Sequence, residues 1–222
     1  MPARDELLTL IARARKFLPV KTIQDIVRGY VDDITRDYQD VLSGDLLSSE
    51  ARRRHRTYIR DSAEAVYLEG LKEGGAEGAE LTDEDNAAIR AWVENQLGYV
   101  GGLWSDVDRL AQDYENGMIR RDQYEDGRRV LYERIGTWGD SLRDLGNQGK
   151  ASAMANMMVT WNFGGTEVHC RTCAKLDGKR HRMSWFTSRG YIPQEKGSPV
   201  LECGGWRCEC TLNDDRSRQV LP

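Results

Sequence analysis

The chain has 222 residues, 39% of them hydrophobic and 31% charged, with 32 Lys+Arg against 36 Asp+Glu. That length buries a real core and suits a helical body with a small appended unit. No segment approaches the roughly 20 apolar residues of a membrane span, and the opening MPARDELLTL carries acids where a secretion signal has a basic lead, so a soluble protein made in the cytoplasm is expected. The charge divides unevenly: residues 1–165 hold 22 basic and 29 acidic side chains, residues 166–212 hold 8 and 5.

Helical spacing of apolar residues dominates the first two thirds. Leu7, Leu8, Ile11 and Ala14 predict a first helix, which Pro19 interrupts. Thr22 stands as an N-cap for a second helix through Ile23, Ile26, Val27, Tyr30, Ile34, Tyr38 and Val41, ending near Ser43-Gly44. A third is expected from Ser48 or Ser49 through Tyr58, Ile59, Ala63, Val66, Tyr67 and Leu71, dissolving at Gly74-Gly75. Thr82 with Asp85 resembles a capping box and opens a fourth helix through Ile89, Trp92, Val93, Gln96 and Leu97. Gly98, Gly101 and Gly102 are expected to loosen or kink it before Leu103, Val107, Leu110 and Tyr114.

Asn116-Gly117 reads as a helix end, and a helix restarts after Ile119. Residues 140–161, with Leu142, Leu145, Met154, Met157, Met158 and Trp161 on one face and Ala151, Ser152, Ala153 and Ala155 among them, predict a long, closely packed helix. Beyond Trp161, frequent Gly and Pro favour short strands and tight loops. The expected fold is mainly α: a multi-helix body over 1–160, a small β-hairpin, zinc-ribbon-like module over 161–212, and a C-terminal tail over 213–222.

All five cysteines lie in that module, as Cys170-x-x-Cys173 and, thirty residues on, Cys203-x4-Cys208-x-Cys210. Two separated clusters suit a tetrahedral thiolate site with ligands at about 2.3 Å from Zn²⁺. Side chains two apart on a strand share a face, so Cys208 and Cys210 turn inward together. Five thiols for four places leave one surplus, for which Cys203 is the first choice; His169 and His181 are weaker nitrogen alternatives. Disulfides fit poorly with an odd count and no export signal. Redox catalysis from the Cys-x-x-Cys lacks the flanking strand and helix, and no Glu is placed as the base of a catalytic zinc site. A structural zinc is therefore expected. The apolar set of Trp185, Phe186, Tyr191, Ile192, Val200, Leu201 and Trp206 is modest, whereas metal binding on the order of 10 kcal/mol decides the balance.

In order and spacing, Trp161, His169-Cys170-Arg171-Thr172-Cys173, Leu176-Asp177-Gly178-Lys179, Ser184-Trp185, Gly190-Tyr191-Ile192-Pro193 and Leu201-Glu202-Cys203-Gly204-Gly205-Trp206-Arg207-Cys208-Glu209-Cys210 resemble the C-terminal part of phage head morphogenesis proteins, the Mu F-like minor head proteins. The resemblance covers about a quarter of the chain and departs from the family at the last cluster, where many relatives have His-x-x-Cys-x-Cys. It implies a minor head protein of a tailed phage, in the procapsid or virion and assembled in the host cytoplasm. Its implied partners are the portal and/or major capsid protein, with a multimeric arrangement on a portal ring and packaged DNA nearby.

The alternative is a zinc-containing nucleic-acid-binding or nuclease-associated protein. Its support would be the basic run Arg52, Arg53, Arg54, His55, Arg56 and Arg60, and the module's Lys175, Lys179, Arg180, Arg182, Arg189 and Arg207 among aromatics. The acidic body favours a solvated stripe for the first. With three histidines and no Gly-x-Ser-x-Gly, P-loop or dinucleotide fingerprint, no catalytic constellation is expected.

Overall fold

A computed structural model describes residues 22–78, 80–165, 170–206 and 208–222. The expected first helix, His169 and Arg207 lie outside the described residues. Four long helices form the body: α1 (Ile23–Ser43), α2 (Ser48–Glu73), α3 (Asp83–Glu115) and α4 (Arg121–Ala153).

The local signals at the starts of α1 and α3 act as expected. The Asp25 N–H donates to Thr22 Oγ1 at 3.2 Å and the Thr22 N–H to Asp25 Oδ2 at 3.0 Å, closing a capping box that satisfies two otherwise orphaned donors. Thr82 and Asp85 repeat it at α3. Helix α1 ends on Gly44 at φ +83°, a left-handed conformation that glycine adopts without a Cβ penalty.

Ile23, Val27, Tyr30, Ile34, Tyr38 and Val41 bury one stripe of α1 against the other helices. Helices α2 and α4 cross at close range, and the crossing depends on missing side chains. A Cβ on Gly70 would stand 2.1 Å from the Gly146 carbonyl oxygen, and one on Gly149 would stand 2.4 Å from that of Tyr67. The two backbones thus approach nearer than any larger residue permits.

Two expectations for the body are corrected. Helix α3 runs unbroken through Gly98, Gly101 and Gly102, because Val100, Leu103, Trp104 and Val107 are fully buried and their packing outweighs the roughly 1 kcal/mol each glycine costs a helix. The helix expected over 140–161 stops at Ala153. Met158–Asn162 is instead strand β1, with Val159 and Trp161 buried and their neighbours half-buried. The spacing of Met154, Met157, Met158 and Trp161 mimics a helical face, but pairing with later strands imposes period two.

The C-terminal module comprises β1, α5 (Arg171–Leu176), β2 (Arg180–Arg182), α6 (Met183–Thr187), β3 (Thr211–Asn213) and β4 (Gln219–Leu221). Its antiparallel sheet has the order β2-β1-β3-β4, with Val159 opposite His181 and Trp161 opposite Leu212. The sheet therefore begins before residue 161 and includes part of the expected tail. Leu221 is fully buried, and Asp214 turns the last hairpin by accepting the Arg216 and Arg218 backbone N–H groups at 2.9 Å each.

A second apolar core, distinct from that of the bundle, holds Val159, Trp161, Leu176, Met183, Phe186, Leu201, Leu212 and Leu221 together with Cys170, Cys173 and Cys210. The module sits on α4 through the 194–196 segment. Gln148 Nε2 donates to Glu195 Oε1 at 3.3 Å, the Lys196 N–H to Asp144 Oδ2 at 3.4 Å, and the Lys196 ammonium pairs with Asp140.

Candidate metal centre

Three chain segments bring the five sulfurs together. Cys170 precedes the first turn of α5 and Cys173 lies within it; the Ala174 N–H donates to the Cys170 carbonyl at 2.9 Å, which fixes a tight knuckle. Cys203 lies on a loop that doubles back through Gly204 (φ +58°) and Gly205 (φ +74°). A Cβ on Gly205 would fall 1.9 Å from the Glu195 carbonyl oxygen, so the loop lies directly on the segment that contacts α4. Cys208 and Cys210 enter β3, where Gln194 Nε2 donates to the Cys210 carbonyl at 3.1 Å and the Gly164 N–H to Cys210 Sγ at 3.5 Å.

Glu202 joins the knuckle to the loop. It accepts the Arg171 N–H at 2.9 Å and the Arg171 guanidinium at 2.8 and 3.0 Å. This is a charge-assisted clasp on an exposed surface, so its role is chiefly geometric.

The sulfurs form two groups. Those of Cys170, Cys173 and Cys203 lie within 4.8 Å of one another, as do those of Cys173, Cys208 and Cys210. Cys173 belongs to both. Cys170, Cys173 and Cys210 are buried, while Cys203 and Cys208 are half-buried. Either group could hold a metal ion. Cys203, expected as surplus, thus stands beside the knuckle in a three-sulfur set. His181 is in neither group; its ring stacks on Trp185 with centroids 3.9 Å apart.

The electrostatics differ from sulfur to sulfur. Burial works to raise Cys170, but the backbone N–H groups of Cys173 and Cys203 outweigh it and bring the thiol down to about 7. Burial, then the hydrogen bond with Cys170, pushes Cys173 up. The hydrogen bond to Cys210, then burial, pushes Cys208 up. Cys210 is lowered, first by that bond from Cys208, against burial, and further by the Gly164 N–H. Cys203 is raised by burial despite the Gly205 N–H. Backbone donors aimed at sulfur favour thiolates, the form that binds metal.

The contacts of Gly164, Gln194 and Glu202 with the cysteine segments carry no signal in the sequence. A Cβ on Gly164 would meet the Glu209 carbonyl carbon at 2.4 Å, so glycine permits the close approach of β1's end to the last cysteines.

In the Arg52–Arg60 stripe, Arg53 and Arg54 pair with nearby acids. Arg53 meets Glu50 at 2.6 Å, Arg54 meets Asp37 at 3.2 Å and Glu50 at 3.1 Å, and Arg52 donates to Ser105 at 3.3 Å. His55 faces the core. In the module, Arg180 pairs with Asp215 at 2.8 Å and Arg189 lies 4.4 Å over the Trp185 ring.

The fold and site define a helical bundle carrying a small antiparallel sheet with a cysteine cluster. No protein-family model, curated protein or solved structure gives a match to this chain. Among the described residues, no helix is long and apolar enough to cross a membrane.

Proposed function

We propose that the protein is a minor structural component of a tailed-phage head, whose helical body binds portal and/or capsid subunits during assembly and whose C-terminal module is clasped by structural zinc. The observation that carries the reading is the gathering of all five sulfurs from three segments at the edge of a small apolar core. Among the described residues the candidate donors are all cysteine sulfurs, a set that suits Zn²⁺. The residue order from Trp161 to Cys210 supports the phage assignment.

Partner binding by the body is supported around the α3–α4 connection, where Met118, Val130 and Tyr132 are exposed and Leu110, Ile119 and Leu131 line a shallow groove. The pairing of Arg53 and Arg54 with Glu50 and Asp37 reduces the free positive charge of the Arg52–Arg60 stripe.

The test is sedimentation of the full chain mixed with tailed-phage portal and major capsid proteins. Comigration is expected to survive nuclease treatment and to weaken in Met118→Asp and Val130→Asp variants of unchanged melting temperature. A protein that stays apart from portal and capsid but retains DNA with steep salt dependence refutes the proposal.

A further inference from the structure

A single tetrahedral zinc site needs four sulfurs whose separations are all close to about 3.8 Å, the edge set by a Zn–S distance of roughly 2.3 Å. Among the described residues the cluster offers no such quartet. It offers two three-sulfur faces, each within 4.8 Å, that meet at Cys173. Each face pairs two buried cysteines with one half-buried one, Cys203 in the first and Cys208 in the second. The half-buried sulfur marks the side from which water reaches each face.

From this geometry we propose that the cluster takes two divalent d¹⁰ cations, of the chemistry of Zn²⁺ or Cd²⁺, with the Cys173 thiolate bridging them. One ion sits on Cys170, Cys173 and Cys203, the other on Cys173, Cys208 and Cys210. Water completes each ion's coordination from the exposed side. The inference rests on the metal reading above and deepens it by fixing the number of ions and the role of each thiol.

Charge supports the count. Four thiolates around one divalent ion, with the fifth thiol protonated, would leave two net negative charges beside an apolar core, a costly arrangement. Arg171 on α5 is already committed to Glu202. A second divalent ion, with the fifth thiol ionised as well, reduces the excess to one. Each thiol that ligates releases its proton to solvent, so no oxidant or reductant is needed. Cys173, the most enclosed of the three buried thiols, is also the one with a partner sulfur on either side, as a bridging ligand requires.

Native mass spectrometry of the full chain titrated with Zn²⁺, and separately with ¹¹³Cd²⁺, tests the proposal. The expected result is saturation at two ions per chain, with two ¹¹³Cd resonances that show mutual coupling through a shared sulfur. Cys203→Ala and Cys208→Ala should each retain one ion, and Cys173→Ser should lose the coupling. Near-ultraviolet circular dichroism of the module's tryptophans serves as the control for folding. Saturation of the unaltered chain at one ion overturns the two-ion inference while leaving the metal reading intact. No bound ion overturns both. Two ions that persist in Cys203→Ala with undiminished affinity would show that Cys203 is not a ligand and also overturn the inference.

Discussion

His55 and Asp144 should impose opposite pH dependences on stability, each visible once the other is removed. His55 is fully buried in the bundle, with Tyr30 Oη 3.4 Å from Nε2, Trp104 Nε1 donating to Nδ1 at 3.3 Å, and the Trp138 ring edge-on at 4.2 Å. Burial lowers its pKa to about 3. From about pH 6.5 down to 3 the unfolded chain therefore takes up a proton that the folded chain refuses. Stability falls with acidification by about 1.4 kcal/mol per pH unit, for a total on the order of 5 kcal/mol.

Asp144 lies at the seam between α4 and the module, where burial first, then the nearby Glu195 and Asp140 charges, outweigh the Lys196 N–H and ammonium and raise it to about 7. Here the folded chain holds the extra proton, so its stabilisation is present in acid and is lost as pH rises from about 4 to 7, about 4 kcal/mol in all. Between pH 4.5 and 6 the two slopes oppose each other. Urea unfolding followed by helical circular dichroism at half-unit steps measures them. Asp144→Asn should gain a rising slope of about 1.4 kcal/mol per unit relative to the unaltered protein, and His55→Leu should change by the same amount in the opposite direction. Metal release affects all three proteins alike and drops out of the differences. Superimposable pH profiles for the three would refute the reasoning.

Three further outcomes are expected. Gly70→Ala should destabilise the bundle by about 1–3 kcal/mol in urea melts, because its Cβ meets the Gly146 carbonyl rather than a movable side chain, whereas Gly29→Ala, with open space around it, should not destabilise. Asp85→Asn should cost about 1–3 kcal/mol at pH 7, since the buried carboxylate closes the α3 capping box and also accepts from Tyr67 at 2.6 Å and Ser152 at 2.9 Å. Despite burial, those bonds hold its pKa below the usual value, so the stability it supplies is present above about pH 4 and lost below; the Asn variant should lack that loss in acid titrations. A strong chelator should abolish the near-ultraviolet signal of the module's tryptophans while most of the 222 nm helical signal remains; full retention of both refutes the clasp.

Much of the body was legible because its determinants are local. Thr22, Gly44, Thr82 and Asn116-Gly117 mark their helix ends through hydrogen bonds to residues three or four away, and the α1 stripe follows from period 3.6 alone. The clustering of Cys170, Cys173, Cys203, Cys208 and Cys210 likewise announced a thiol-rich site before any geometry was known. Long-range pairing decided the rest. Met158–Asn162 carries apolar residues spaced for either period, and only registry with Arg180–Arg182 and Thr211–Asn213 makes it a strand. Residues 219–221 are too few to declare a strand by themselves and become one because β3 offers an open edge. The inward turn of His55 within an arginine run, and the placing of Cys173 between two sulfur pairs, depend on what lies opposite in space. Spacing along the chain encodes caps, turns and ligand types; which surfaces meet is set by burial shared among segments far apart in sequence.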